Sequence, residues 1–184
     1  MTSTTPADGE PVVQVRSVEV AFGGLLALRG IDLDVLRGER LAIIGPNGAG
    51  KTTLFNLIAG QLAPTAGRVF IDGRDVTALP VQARTRAGVA RTFQISNLFG
   101  ELTVTDNVRL AVAGADPKVR RNFWRPLNGF SRVERRVDEL LEQWGLTPFR
   151  DERPNELAYG QQRILELVLA TAGEPSLLLL DEPT

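Results

Sequence analysis

Apolar positions change their spacing several times along this chain, and each change predicts an element. Val12 to Phe22 and Leu25 to Val35 are strand-like stretches on either side of Gly23-Gly24, which predicts a two-stranded antiparallel ribbon. Leu41-Ala42-Ile43-Ile44 is apolar without interruption, the pattern of a short buried strand. Thr53 to Ala59 carries apolar residues at helical spacing and is closed by Gly60, a C-terminal stop signal. Arg68 to Ile71 reads as a strand running into an Asp72-Gly73 turn, Pro80 to Arg86 as the start of a short helix, and Val89 to Phe93 as a strand ending at Gln94. Helical patterns then take over. One begins at Val104–Val108, another covers Ser131 to Trp144 with Val133, Val137, Leu140, Leu141 and Trp144 on one face. A third covers Gly160 to Ala172, with Ile164, Leu167, Val168 and Thr171 recurring at the helical interval. Between the first two, Gly114 to Gly129 is broken by Pro117, Pro126 and Asn128-Gly129 and reads as a loop. Ser176 to Leu180 is a continuous apolar strand of the kind buried on both faces in a parallel sheet. No internal repeat is visible.

These elements predict an α/β protein in which a core of mixed or parallel strands follows an N-terminal antiparallel β subdomain. A mostly helical insertion occupies about residues 100–173, residues 12–184 form one domain, and residues 1–11 form a polar, disordered leader. The chain has 184 residues, enough for one sizeable core, and 21 basic side chains against 22 acidic ones. That balance argues against a surface made to coat nucleic acid. With no cysteine there is no disulfide framework and no thiolate metal site, which suits a reducing compartment. No run approaches the roughly 18 apolar residues that a spanning helix needs, so any membrane role requires a partner.

The strongest chemical signal is Gly45-Pro46-Asn47-Gly48-Ala49-Gly50-Lys51-Thr52, which fits G-x-x-x-x-G-K-[ST] without a gap. It stands between a predicted strand and a predicted helix. In that setting a row of backbone N–H groups and the positive end of a helix dipole converge on one spot. The glycines admit a close anion, Lys51 can reach the β- and γ-phosphates, and the Thr52 hydroxyl can ligate Mg²⁺. A nucleoside triphosphate is the expected ligand. Leu177 to Leu180 then presents Asp181 and Glu182 at the end of an apolar strand, the edge of a parallel sheet at which ligands bind. From there Asp181 can orient Mg²⁺, and Glu182 can polarise an attacking water. Leu157-Ala158-Tyr159-Gly160-Gln161-Gln162-Arg163 ahead of a helix is a weak pattern alone, but its place between the two nucleotide motifs makes it specific.

The order Gly45–Thr52, Gln94, Leu157–Arg163 and Leu180-Asp181-Glu182-Pro183-Thr184 resembles the nucleotide-binding subunit of ATP-binding cassette transporters, over nearly the whole chain from Val12 onward. Within that family the chain resembles the ATPases of high-affinity branched-chain amino-acid importers. The likeness rests on Phe22-Gly23-Gly24-Leu25, Arg91-Thr92-Phe93-Gln94, Asn97-Leu98-Phe99 with Leu102-Thr103-Val104, and Ala158-Tyr159-Gly160-Gln161-Gln162-Arg163 in place of the commoner Ser-Gly-Gly-Gln. The stretch Gly114 to Arg132 is similar to that subgroup's longer helical insertion.

The resemblance implies a P-loop NTPase core with ATP and Mg²⁺ as cofactors. It places Phe22 on the adenine ring and Gly45, Pro46, Asn47, Gly48, Ala49, Gly50, Lys51, Thr52 and Thr53 around the phosphates. It assigns Thr52, Gln94 and Asp181 to the metal, and Glu182 with Gln94 and Lys51 to hydrolysis. It also implies a second cassette, identical or not, packed head to tail, so that Leu157, Ala158, Tyr159, Gly160 and Gln161 act on the partner's nucleotide. Ala158 departs from the commoner pattern, because it has no hydroxyl and leaves backbone donors at Gly160 and Gln161 to bind phosphate. Permease subunits, and through them a solute-binding protein, are the further partners, at the cytoplasmic face of the membrane. Arg109, Lys118, Arg120, Arg121, Arg125, Arg132, Arg135 and Arg136 form a basic segment, with Phe123 and Trp124 inside it and only Asp116 and Glu134 against it. It suits docking to membrane-subunit loops better than nucleic acid. Relatives continue beyond the Asp-Glu-Pro-Thr segment with a further core strand and a histidine at the γ-phosphate. This chain ends at Thr184 and has no histidine, so it reads as a C-terminally truncated cassette that hydrolyses ATP poorly by itself. Two competing readings are a soluble cassette ATPase acting on ribosomes or DNA, and a non-hydrolysing nucleotide-binding fragment.

Overall fold

A computed structural model of the chain describes residues 9–92, 98–116, 119 and 130–180. It divides into two compact units, Met1–Val89 and Ala90–Thr184.

The first unit is built on the ribbon that the alternation around Gly23-Gly24 predicts. Strand β1 (Pro11–Phe22) pairs antiparallel with β2 (Leu25–Leu36), and Phe22 faces Leu25 across the turn. Both turn glycines have positive φ, 51° and 89°, the backbone a tight two-residue hairpin requires. On its other edge β1 pairs antiparallel with β3 (Ala66–Ile71), which turns at Asp72-Gly73 into β4 (Arg74–Asp75), for an order β2-β1-β3-β4. Val12, Val13, Val15, Val18 and Val20 of β1 are buried, with Val69 and Ile71 of β3. Strict alternation is broken by register shifts between Val15 and Val18, where Ser17 sits at positive φ and donates its N–H to Asp32 Oδ1 at 2.8 Å. Gly67 crosses so close to that bulge that a Cβ would lie 2.4 Å from the Ser17 carbonyl oxygen. Two helices complete the unit, α1 (Lys51–Ala59) and α2 (Val81–Arg86). Leu54, Leu57, Ile58 and Ala59 of α1 are buried.

One expected element is missing. Residues 41–46 belong to no strand, and Ile44 is 91% exposed. A continuous apolar tetrapeptide becomes a buried strand only when neighbouring strands take its N–H and C=O groups. Neither sheet among the described residues pairs with it.

In the second unit β5 (Val89–Arg91) and β6 (Leu177–Leu179) form a two-stranded parallel sheet, and the N–H of Thr92 donates to the Leu179 carbonyl at 3.0 Å. Its core is helical: α3 (Val104–Ala115), α4 (Ser131–Gln143) and α5 (Tyr159–Thr171) bury Val104, Val108, Val112, Val133, Val137, Leu140, Leu141, Leu165 and Val168 together. The face expected for α4 is the one that packs. In α5 the buried line runs through Leu165, Val168 and Ala172, while Ile164, Leu167 and Thr171 flank it half-buried. Apolar residues surround most of this helix, so spacing alone does not select its centre. Thr103 caps α3 by accepting the Asp106 N–H at 3.1 Å. Buried Asn107 accepts the Phe99 N–H and donates to the carbonyls of Phe99, Leu102 and Thr103, which satisfies the turn before the helix.

The basic segment is largely neutralised where it is described. Arg109 of α3 makes a two-pronged contact with Glu134 of α4, at 2.6 and 2.9 Å, and also pairs with Asp106. Arg132 lies 3.8 Å from Asp116, and Arg136 reaches Glu139 and Glu174. Lys118, Arg120, Arg121, Phe123, Trp124 and Arg125 lie outside the described residues.

Arg109 holds the Glu134 carboxyl below its ordinary value of 4.5, first through the hydrogen bond and then through its charge. Because the folded value is depressed, this contribution is complete above the unfolded value and is lost as pH falls through the folded one. Glu134→Gln is expected to destabilise the protein by about 1 kcal/mol at neutral pH. Urea denaturation at descending pH should show the deficit shrinking towards zero in acid; a deficit independent of pH would contradict the assignment.

Candidate functional site

The loop from Gly45 to Gly50 is an open turn that delivers the chain into α1. Gly50 is the residue before the helix, with φ +85° and no side chain to cap it. A Cβ there would lie 2.8 Å from Leu28 Cδ2 and 2.9 Å from the Ala27 carbonyl oxygen of β2. Only glycine meets both demands. The first helical hydrogen bond runs from Leu54 N–H to the Gly50 carbonyl at 2.9 Å. The N–H groups of Lys51, Thr52 and Thr53 precede it and have no carbonyl one turn back to receive them. No acidic side chain occupies this first turn. Three aligned amides, the positive end of the helix and an ammonium group therefore share one place, an arrangement that favours an anion.

Lys51 Nζ folds back onto the loop, donating to the carbonyls of Gly45 at 2.7 Å and Pro46 at 2.9 Å. The Ala49 N–H also donates to Pro46, at 3.2 Å. The ammonium is thus held beside the amides, ready to exchange carbonyl oxygens for phosphate oxygens. Thr52 is exposed at the same helix end, so its hydroxyl is available to a cation there.

Packing of Gly50 on Ala27 and Leu28 brings the hairpin to the loop. Leu28 pairs with Val20, and two residues further along β1 stands Phe22, roughly 7 Å away at the usual strand rise. Phe22 is 50% exposed, which excludes a core role and leaves an aromatic face open on the hairpin end nearest the loop.

Leu157 to Gln161 belong to the second unit. Leu157 is buried, and Ala158 precedes α5 with its N–H donated to Gln161 Oε1 at 2.8 Å. The Gln161 N–H donates to the Ala158 carbonyl at 2.9 Å, so its backbone donor is engaged locally. Tyr159 and Gly160, the first two helical positions, present the outward N–H groups instead. Tyr159 is 63% exposed, and Arg163 lies over its ring at 5.1 Å while donating Nε to its hydroxyl at 3.0 Å. Arg163 also donates to Glu166 at 2.8 Å; these bonds, that to Glu166 first, raise its pKa. This Tyr159-Arg163-Glu166 line escaped the sequence reading, although spacings of four and three along one helix could have revealed it. Gln94, Asp181 and Glu182 lie outside the described residues.

A second residue missed from sequence is Arg84 of α2. It is 1% exposed, and its guanidinium donates to the carbonyls of Leu57 and Ile58 at the far end of α1. Nothing in Ala83-Arg84-Thr85-Arg86 distinguishes it from its exposed neighbour Arg86.

Comparison with known proteins places this geometry. The ABC transporter family profile matches residues 28–184. The chain belongs to the ABC transporter family. It is 39% identical over 180 residues to BraF of Pseudomonas aeruginosa, a high-affinity branched-chain amino acid transport ATP-binding protein, covering 94% of this chain and 69% of that one. It is 42% identical over 171 residues to CysA of Caulobacter vibrioides, a sulfate/thiosulfate import ATP-binding protein, covering 93% of this chain and 48% of that one. Among solved structures, the ATP-binding cassette MJ1267 superposes with TM-score 0.79 at 29% identity, covering 95% of this chain and 70% of the other. The cassette MJ0796, solved as a dimer with ADP and phosphate, superposes with TM-score 0.73 at 29% identity, covering 94% and 74%. The chain is therefore an ABC-type ATPase subunit of a transporter, with the fold of that family and a nucleotide as ligand. Proteins of this kind dimerise and work with membrane permease components.

Gly50→Ala is expected to cost more than Gly48→Ala, although both residues have φ above +80°. A Cβ at Gly48 meets nothing within 4 Å, so that change carries only the left-handed penalty of about 1–2 kcal/mol. Urea unfolding of the two variants checks this, and equal losses would contradict the contact with β2.

Proposed function

We propose that this chain is the ATP-binding and ATP-hydrolysing subunit of an importer for a small solute, with branched-chain amino acids as the first candidate. The observation that carries the reading is the Gly45–Thr53 turn, with the Lys51 ammonium on the Gly45 and Pro46 carbonyls and the first amides of α1 without a helical partner. The CysA match makes overall identity a poor guide to the solute. Support for branched-chain amino acids comes from the local segments Phe22–Leu25, Arg91–Gln94 and Ala158–Arg163 together with the BraF match.

In this reading Phe22 stacks on adenine, and the amides of Gly48 to Thr53 receive phosphate oxygens. Lys51 leaves the Gly45 and Pro46 carbonyls for the β- and γ-phosphates. The donor set suits Mg²⁺, which prefers oxygen ligands beside phosphate: the exposed Thr52 hydroxyl, with Asp181 and Gln94 as the further candidates. When bound, that ion would neutralise charge between the β- and γ-phosphates. Glu182 accepts the proton of the attacking water, a role that contributes about 10²–10⁴-fold in rate. A second cassette faces the first head to tail, so that Leu157 to Gln161 close the partner's site. The outward N–H groups of Tyr159 and Gly160 supply there what Ala158, lacking a hydroxyl, does not. No helix among the described residues is long and apolar enough to cross a membrane, and permease subunits would hold the ATPase at the cytoplasmic face.

Titration calorimetry with Mg-ATP tests the reading. Lys51→Ala is expected to weaken binding about ten- to a hundred-fold, the worth of a hydrogen bond to a charged group. Glu182→Gln is expected to keep binding, lose turnover and accumulate the nucleotide-bound dimer. Full turnover in Glu182→Gln would remove its role as base. Uptake of leucine by vesicles carrying the cognate permease tests the solute, and uptake of sulfate instead would overturn it.

A further inference from the structure

Helix α1 carries the phosphate loop at one end, and its other end is gripped by a buried cation. Arg84 is 1% exposed and donates to four backbone carbonyls: Nη1 to Leu57 at 2.5 Å and Ile58 at 3.0 Å, Nε to Leu79 at 3.0 Å, and Nη2 to Thr77 at 2.9 Å. Two of those acceptors are among the last carbonyls of α1, at the negative end of its dipole; that of Leu57 also accepts the Gly60 N–H at 3.1 Å. No carboxylate bonds to the guanidinium among the described residues; Asp75 acts on it only at a distance. Burial pulls its pKa below the ordinary value, which marks the cost of keeping a charge there. The chain also clears space for it. Gly60 ends α1 at φ +82°, and a Cβ at that position would lie 2.9 Å from both Cδ and Nε of Arg84.

We propose that Arg84 is a positioning residue of the nucleotide site: by binding the C-terminal carbonyls of α1 it sets the position of the helix along its own axis, and so where Lys51, Thr52 and Thr53 meet the phosphates. This rests on the nucleotide reading above. Nine residues of α-helix span about 13.5 Å and behave as a short rod, so a shift at Leu57–Ile58 appears undiminished at Lys51. The opposite end has little to resist it, since Gly45 to Ala49 are exposed and only Gly50 is wedged against β2. Arg84 also ties this rod to the Thr77–Leu79 turn and to α2.

The test compares the full wild-type chain with Arg84→Met and Arg84→Lys, at a temperature where each is fully folded. Mg-ATP affinity is read by calorimetry, and amide hydrogen exchange is read along the chain. Arg84→Met is expected to bind Mg-ATP about tenfold more weakly, the scale of one lost charge-assisted hydrogen bond, with Arg84→Lys between it and wild type. Exchange is expected to quicken at Leu54 to Ala59 while β1 and β3 keep their protection. Wild-type affinity in folded Arg84→Met, or exchange that quickens evenly through the unit, would overturn the proposal and leave Arg84 a packing residue only. Should Arg84→Met fail to fold, Arg84→Lys decides: weaker binding with faster exchange confined to α1 supports the proposal, and no change in either sinks it. A wild-type chain that gives no heat with Mg-ATP overturns the nucleotide reading itself, whereas normal wild-type binding with unimpaired variants overturns only the role given to Arg84.

Discussion

A helix placed inside a protein must have both its ends satisfied, and the first unit is organised around that demand on α1. Its N-terminal amides cannot bond within the helix, and glycine at position 50 prevents any side chain from capping them. They stay open for an anion while Lys51 waits on the loop's own carbonyls. At the other end a guanidinium rather than water takes the carbonyls of Leu57 and Ile58. Between the two ends, Leu54, Leu57 and Ile58 are buried and prevent the helix from tilting freely. The anion site is therefore the one end of α1 that the fold leaves unfinished.

The same economy governs the antiparallel sheet beside it. Strand β2 offers Ala27 and Leu28 to Gly50, and the hairpin that ends two residues further along carries an exposed aromatic ring. Glycine at position 50 sets how closely the loop approaches β2, and so how near Phe22 stands to the open amides of α1.

Charge in the helical unit is handled by pairing rather than display. Arg109 in α3 and Glu134 in α4 lock two helices through a two-pronged contact, and Arg136 reaches acids that are distant in sequence or on the next turn. The arginine-rich run from Arg109 to Arg136 contains few acids of its own. In the folded unit Asp106, Glu139 and Glu174, all three outside that run, come to meet it. Near the start of α5, Arg163 stiffens Tyr159 from below, so the exposed ring stands on a supported base beside the two outward amides.

Much of this was legible without coordinates. The turn from Gly45 into α1 is contiguous and depends on backbone that its own glycines permit, so its place before a helix could be read directly. The Gly23-Gly24 hairpin, the turn at Asp72-Gly73, the Pro80–Arg86 helix and the packed face of Ser131–Trp144 were readable for the same reason, since each is encoded by neighbours within one or two turns. What remained hidden depended on residues far away along the chain. Leu41 to Ile44 has the composition of a buried strand, but a strand exists only where other strands accept its hydrogen bonds. Arg84 looks like any arginine of a short helix until the end of α1, some twenty-six residues earlier, is brought against it. The centre of the α5 face lies on Leu165 and Val168 because α3 packs there, a choice that its apolar residues from Ile164 to Ala170, broken only by Glu166, leave open. Local chemistry and backbone preference were thus determined by sequence alone; which buried charges and carbonyls found each other was decided by tertiary contact, because hydrogen bonds and desolvation act through space and are indifferent to chain order.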